Sequence, residues 1–486
     1  MRRLYILILA LTIPFGSCTK FLEVDPPSTK VDLKTAFASD AAAISLMTGI
    51  YSRAADPSAY SFPSLSVNAG LSADELTSYG FNSSFDAFYV NALNAASFTS
   101  YWGELYSYIY TANLMIEGLA APNGVSAPVK KQLEGEAKFT RAYFYFYLVN
   151  LFGDVPLVTS TTYTNNTLLS RTPSPQVYAF IIQDLKDAQL LLSANYLNAD
   201  LKSVTTNRIR PNKWAATALL AKAYLFNGDH QNAITESSSL INEKTVYQLE
   251  TLESTFTINS KETIFAFEPS STYQNTYEGA IFILNRAPDY SHSVGMSSWL
   301  YNAFEPGDRR KSSWVGTYID ANGTYHYAYK YKVGSNQSGG QVAVTENQVI
   351  LRLGEQYLIR AEAYIQTGQV PLGIADLNEI RIRARADASA QVPNPLPSLS
   401  TSIQKPAALQ AVEQEHKVEM FTEMGDRWLT LKRMKGFNNT AISRADEVMP
   451  TVTTAKGGSW DTDWQLYPIP QEELRKDKNI KQNHGY

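Results

Sequence analysis

"AKAYLFNGDHQNA" at residues 221–233 and "AEAYIQTGQVPLG" at residues 361–373 share one frame. In each, Ala-x-Ala-Tyr is followed after three residues by Gly, and after four more by a small residue. The offsets are those of a tetratricopeptide-type helix–turn–helix. Small residues let two helices approach closely, and Gly ends the first helix without steric cost. Such a unit cannot bury its apolar face alone, so a stack of helix pairs is expected. Pro211 fits a first helical turn, with Trp214, Ala218, Leu219 and Lys222 following on one face.

Helical spacing extends outward from these two units. Trp102, Leu105, Tyr106, Ile109 and Asn113 recur on one face. Residues 129–151 predict a long helix, and "AYFYFYLVNL" at 142–151 is apolar almost all round, which predicts burial. Gly153 and Pro156 end it. Residues 177–192 and 409–434 predict two further amphipathic helices. Between them, 159–175, 269–294, 316–340 and 390–406 are rich in Gly, Ser, Asn, Pro and Tyr, and read as loops with short strands. The fold class is therefore mainly α: a tetratricopeptide-like scaffold with a loop-rich irregular region that carries the ligand surface.

The N-terminus carries an export pattern. Arg2 and Arg3 precede the apolar run "LYILILALTIPF" at 4–15, then Gly16 and Ser17, then Cys18, the sole cysteine. The run is too short to span a bilayer, which takes about 20 residues. "FGSC" resembles a bacterial lipoprotein box, with residues 1–17 as signal peptide and lipid on the Cys18 sulfur. A thiolate is the nucleophile such acylation needs. Each buried methylene of the lipid contributes about 0.8 kcal/mol to anchoring.

Without residues 1–17 the chain has 40 basic and 46 acidic residues. That mild acidity argues against a nucleic-acid binder, which needs clustered positive charge. Tyrosine is abundant, 30 against 21 Phe and 7 Trp, and suits wet binding surfaces because its body is apolar and its tip polar. No catalytic constellation stands out. His230, His292, His326, His416 and His484 lack metal-ligand spacing. "GSNQSGG" at 334–340 is not a phosphate loop, and no Gly-x-Ser-x-Gly occurs. Glu415, Glu419 and Glu423 read as one solvated or ion-paired helix face that Lys417, Arg427 and Arg433 neutralise. Asp74-Glu75 and Asp308-Arg309-Arg310 read as structural charge. Neither a metal nor a cofactor is expected.

Several longer segments match one family. "LEGEAKFTRAYFYFYLVNLFGDVPLV" (133–158), "GDRRKSSWVGTYI" (307–319), "VILRLGEQYLIRAEAYIQTG" (349–368), "EMFTEMGDRWLTLKR" (419–433) and "LYPIPQEELRKDKNIKQNHGY" (466–486) resemble the SusD/RagB family of Bacteroidota outer-membrane lipoproteins. "FLEVDPPS" after Cys18 is similar to that family's mature start. His416 and Thr430 stand where the family commonly has arginine and aspartate. The resemblance implies one SusD-like domain over 18–486, with an N-terminal part to about 240 and a C-terminal part from about 260. It implies a lipid-anchored protein at the outer membrane, facing the cell exterior. It also implies that the protein captures oligosaccharides and passes them to a SusC-like TonB-dependent transporter. Two other readings are a transporter lid for a non-glycan nutrient such as peptides, and a glycan hydrolase, which the missing constellation disfavours.

The glycan surface is expected where aromatics and planar polar groups share loops without helical spacing. Two segments qualify: Tyr79, Phe81 and Asn82 in one, and Tyr273, Tyr277, Arg286, Asp289 and Tyr290 in the other.

Overall fold

A computed structural model of the chain describes residues 33–56, 62–96, 101–269, 275–334 and 343–486. Cys18 and Tyr273 lie outside the described residues. The helices of eight or more residues are α1 (Asp40–Ala54), α2 (Leu65–Ser72), α3 (Trp102–Ala120), α4 (Ala127–Phe152), α5 (Ser174–Leu191), α6 (Lys213–Phe226), α7 (His230–Ile241), α8 (Leu353–Gln366), α9 (Val370–Ala384), α10 (Lys405–Glu419), α11 (Asp426–Arg433) and α12 (Arg444–Ala455). The strands are β1 (Leu76–Ser78), β2 (Thr263–Phe267), β3 (Val294–Met296), β4 (Val315–Asp320), β5 (Gly323–Ala328) and β6 (Gln348–Arg352).

Both shared-frame segments are helix pairs, α6–α7 and α8–α9. Gly228 and Gly368 sit at φ +77° and +85° just past the first helix of each pair. The Gly228 N–H donates to the Leu225 carbonyl, and the Asp229 N–H to Tyr224. Gly368 and Gln369 repeat this onto Ile365 and Tyr364. These are Schellman closures, and the Tyr of Ala-x-Ala-Tyr supplies the accepting carbonyl in both. The second small residue marks close approach: a Cβ on Gly373 would fall 2.5 Å from the Ala361 carbonyl oxygen. Pro211 lies one residue ahead of the N-cap, Asn212, whose side chain accepts from the Ala215 N–H at 3.0 Å.

Each helix from α3 to α9 packs on the next, and α10 rests on α8. The core runs along this stack. α4 is buried on nearly every side from Ala142 to Leu151, as its composition requires. The sheets among the described residues are two-stranded and antiparallel: β1–β3, β2–β6 and β4–β5.

Residues 409–434 are two helices rather than one. The chain leaves helical geometry at Met420, and Thr422, Met424 and Gly425 all have positive φ before α11 begins. The acidic face is likewise not solvated. Glu415 and Glu419 are buried on α10, and Glu423 is buried in the break. Their partners are not Lys417, Arg427 and Arg433. Arg310 bonds Glu415 at 2.9 Å and Glu419 at 3.1 Å, besides Asp308. Arg352, at the end of β6, reaches Glu262, Glu419 and Glu423 at 2.7–2.8 Å. Arg383 and Arg381 on α9 reach Glu419 and Glu415. Lys417 and Arg427 instead hold Asp74, at 2.9 and 2.7 Å, and Arg433 holds Glu362 at 2.6 Å. Removing one partner from such a buried network leaves an uncompensated charge, which costs far more than a surface pair.

Candidate functional site

β1 and β3 pair over three residues, Leu76 opposite Met296 and Ser78 opposite Val294. The Tyr79 N–H extends the ladder, donating to the Ser293 carbonyl at 2.9 Å. This short register joins the two loop segments singled out above. Beyond it, the Phe81 and Tyr290 rings meet at 5.4 Å between centroids, inclined by 57°. Both are exposed, Phe81 at 37% and Tyr290 at 83%. Aromatic rings standing in water on irregular backbone contribute little to a core, which makes this pair a candidate contact surface.

A third segment completes the surface. β4 and β5 form a hairpin in which Tyr318 faces Tyr325. Their rings stack at 6.4 Å, and Tyr325 meets the Tyr79 ring edge-on at 5.7 Å. β3 runs close beneath: a Cβ on Gly295 would fall 2.8 Å from the Tyr79 hydroxyl oxygen and 3.0 Å from the His326 carbonyl. Burial, and then the neighbouring Tyr325, push the Tyr79 phenol above its ordinary value. It therefore stays a neutral donor and acceptor at physiological pH. Behind the hairpin the His326 and Tyr301 rings stack face to face at 3.6 Å, and the Lys311 ammonium lies 3.8 Å from the Tyr301 ring centre. The result is Phe81 with Tyr290, and Tyr79 with Tyr325 and Tyr318, offering apolar ring surface and phenolic hydroxyls.

The polar candidates divide. Arg286 and Asp289 lie in the turn before β3, with Nε 3.4 Å from Oδ2. Slight burial pushes the Asp289 carboxyl up, but the Ser291 and His292 N–H donors and the Arg286 guanidinium outweigh it and hold it below the usual range. Both side chains border the Tyr290 ring in sequence and are partly or fully exposed. The Asn82 side chain is engaged elsewhere: its oxygen caps the short helix Ser83–Tyr89, accepting from Ser84 and Phe85. Tyr277 opens the short helix Tyr277–Phe282 and rests half-buried against the core, where burial raises its phenol strongly.

Tyr318 and Tyr325 were not anticipated, although a signal existed. Asn322-Gly323 lies between "GTYID" and alternating tyrosines in "GTYHYAYKY", a hairpin pattern with one aromatic face. Among the described residues, no group of three or more His, Cys, Asp or Glu could hold a metal ion. No described helix is long and apolar enough to cross a membrane.

Comparison with known proteins agrees over nearly the whole length. Residues 20–225 match a family described as starch-binding and associating with the outer membrane, and residues 293–486 match the SusD family. SusD-like protein P2 of Formosa agariphila is 26% identical over 429 residues, 80% of either chain. A SusD-like protein of Bacteroides ovatus is 24% identical, across 89% of this chain and 84% of its own. Among solved structures, a SusD superfamily protein of Bacteroides vulgatus superposes with TM-score 0.73 at 18% identity, covering 92% of this chain and 99% of that one. A laminarin-binding SusD-like protein superposes with TM-score 0.71 at 22% identity, covering 93% and 100%. With its helix-pair scaffold and its two matched segments in order, the chain belongs to the SusD/RagB family.

Proposed function

We propose that this protein is a cell-surface glycan-binding lipoprotein that captures oligosaccharides on the Tyr79–Phe81–Tyr290–Tyr318–Tyr325 surface and delivers them to a SusC-like TonB-dependent transporter. The carrying observation is the exposed Phe81–Tyr290 pair, assembled from two distant segments. Sugar rings present C–H faces that pack on aromatic rings, and their hydroxyls bond to phenols, Arg286 and Asp289. The family's association with the outer membrane and the laminarin-binding neighbour support the ligand class and the location. A lipidated Cys18 tethers the protein there, facing the exterior. Its role is capture without catalysis.

Calorimetry against a panel of polysaccharides, laminarin first, tests this. At the glycan that binds, Phe81→Ala and Tyr290→Ala each weaken affinity by about 1–3 kcal/mol with unchanged Tm. Parent-like affinity in both variants overturns the site. Binding that collapses with added salt overturns the neutral-glycan reading.

A further inference from the structure

A cleft of about 690 Å³ opens between the C-terminal end of α4 and α11, with the start of α5, the end of α6 and the C-terminal tail as its other walls. Its cations are unusually placed. α4 ends with its carbonyls taken by other parts of the chain. The Asn150 carbonyl accepts from the Lys432 ammonium, and the Phe152 carbonyl accepts from Arg171 at 3.0 Å and Asn483 at 3.0 Å. Arg171 gives its remaining bonds to the Asp154 and Lys481 carbonyls and the Asn483 amide oxygen. No carboxylate lies within ion-pair distance of Lys432 or Arg171 among the described residues. Arg433 beside them is paired with Glu362, yet its Nε is buried with no acceptor.

The acids at this cleft are occupied. Asp154 accepts from the Ser174 N–H and hydroxyl at 2.8 and 2.7 Å. Asp463 pairs with the exposed His484. Tyr178 donates to the Asn150 side-chain oxygen at 3.1 Å. Capping α4 uses one N–H of Lys432 and suits the negative end of the helix. It leaves two N–H groups and a charge met by a neutral carbonyl and by the Trp428 ring, whose centre lies 5.6 Å from the ammonium, but by no carboxylate among the described residues.

We propose that this cleft binds a compact oxyanion, a carboxylate or sulfate group carried on a small molecule or sugar, held by Lys432 with the Arg433 Nε–H and the Arg171 charge beside it. Such a group supplies the counter-charge that Lys432 lacks and an acceptor for the Arg433 Nε–H. A desolvated cation without a counter-charge is unfavourable, and burial alone pushes the Lys432 ammonium down to about 7. The site is separate from the aromatic surface and does not depend on it.

The pH profile separates a ligand role from simple helix capping. Below pH 7 Lys432 is charged and attracts the anion. Above 7 it loses its proton and the attraction fades, by at most about tenfold in affinity per pH unit. Arginine at this position stays charged throughout. The probes are sulfate and glucuronate, whose charge is constant from pH 6 to 9, with glucose as the neutral control, measured by calorimetry on the full chain. His484 and Asp463 face the cleft mouth, and Asp154, Arg171, Arg433 and Tyr178 line it. All are unchanged in the variants, so any titration of theirs is common to both profiles. The parent should bind both anions and not glucose, more weakly as pH rises. Lys432→Met should abolish binding, and Lys432→Arg should retain it with a flatter profile. Absence of saturable anion binding at millimolar concentration overturns the proposal, as does parent-like binding by Lys432→Met. Should the methionine variant not fold, an equal pH slope in parent and Lys432→Arg overturns it, and a flatter slope supports it.

Discussion

Glu75 shows how one side chain sets a pH response. It is buried beside Asp74, its Oε1 has no partner, and its Oε2 accepts only a long 3.4 Å bond from the Thr422 N–H. Burial, and then the Asp74 charge, push its carboxyl up from 4.5 to about 8. The folded state therefore keeps a proton that the unfolded chain releases above 4.5. The stability tied to that proton is full below pH 4.5 and is lost as pH rises toward 8. Lys456, pushed down to about 7 by burial, acts in the opposite sense, so the comparison with a variant isolates Glu75. Glu75→Gln should gain stability relative to the parent between pH 5 and 8. Urea denaturation at both pH values checks this, and a pH-independent difference would refute it. Asn82 and Tyr277 show what residue types leave open: both have the chemistry of a sugar contact, while the oxygen of one caps a helix and the ring of the other packs half-buried against the core.

At the scale of elements, what was legible depended on how local the cause is. α3 to α9 were visible because apolar spacing and glycine closures act within a few residues. The break between α10 and α11 was signalled only by Gly425, since Thr422 and Met424 are not residues that announce positive φ. Short strands were legible within 316–340, but not their pairing as the β4–β5 hairpin, although Asn322-Gly323 signals it. The arginine–glutamate network was invisible because Arg310 and Glu415 are 105 positions apart. For the same reason two of the three segments of the aromatic surface could be named, but not their meeting, which depends on the β1–β3 register. The network is also where an element is most vulnerable. Arg310 ties the turn at Asp308 to α10 through three carboxylates. Arg310→Met should cost about 3–5 kcal/mol, because buried carboxylates lose their cation. A lowered denaturation midpoint with unchanged m-value is the expected outcome, and a loss below 1 kcal/mol would mean that Arg352, Arg381 and Arg383 suffice.

For the whole molecule, the proposed tether and transporter are tested together in the native host. Cys18→Ala should move the protein from the membrane fraction to the soluble fraction. Gentle detergent extraction and affinity capture of the parent should recover a TonB-dependent barrel. An alanine variant that stays anchored, or repeated capture of this protein alone, would refute the respective half. The three-residue pairing of β1 with β3 has a consequence in time. Its strands lie more than two hundred residues apart in the chain, whereas the helix pairs close over a dozen or so. Contacts that close long loops form late, since chain entropy is spent before they return anything. The helical stack should therefore regain its circular dichroism first on dilution from urea, and glycan binding should follow in a slower phase. A ligand would then report that two distant stretches of the chain have found each other, and a half-folded molecule would carry a scaffold but nothing for a sugar to hold.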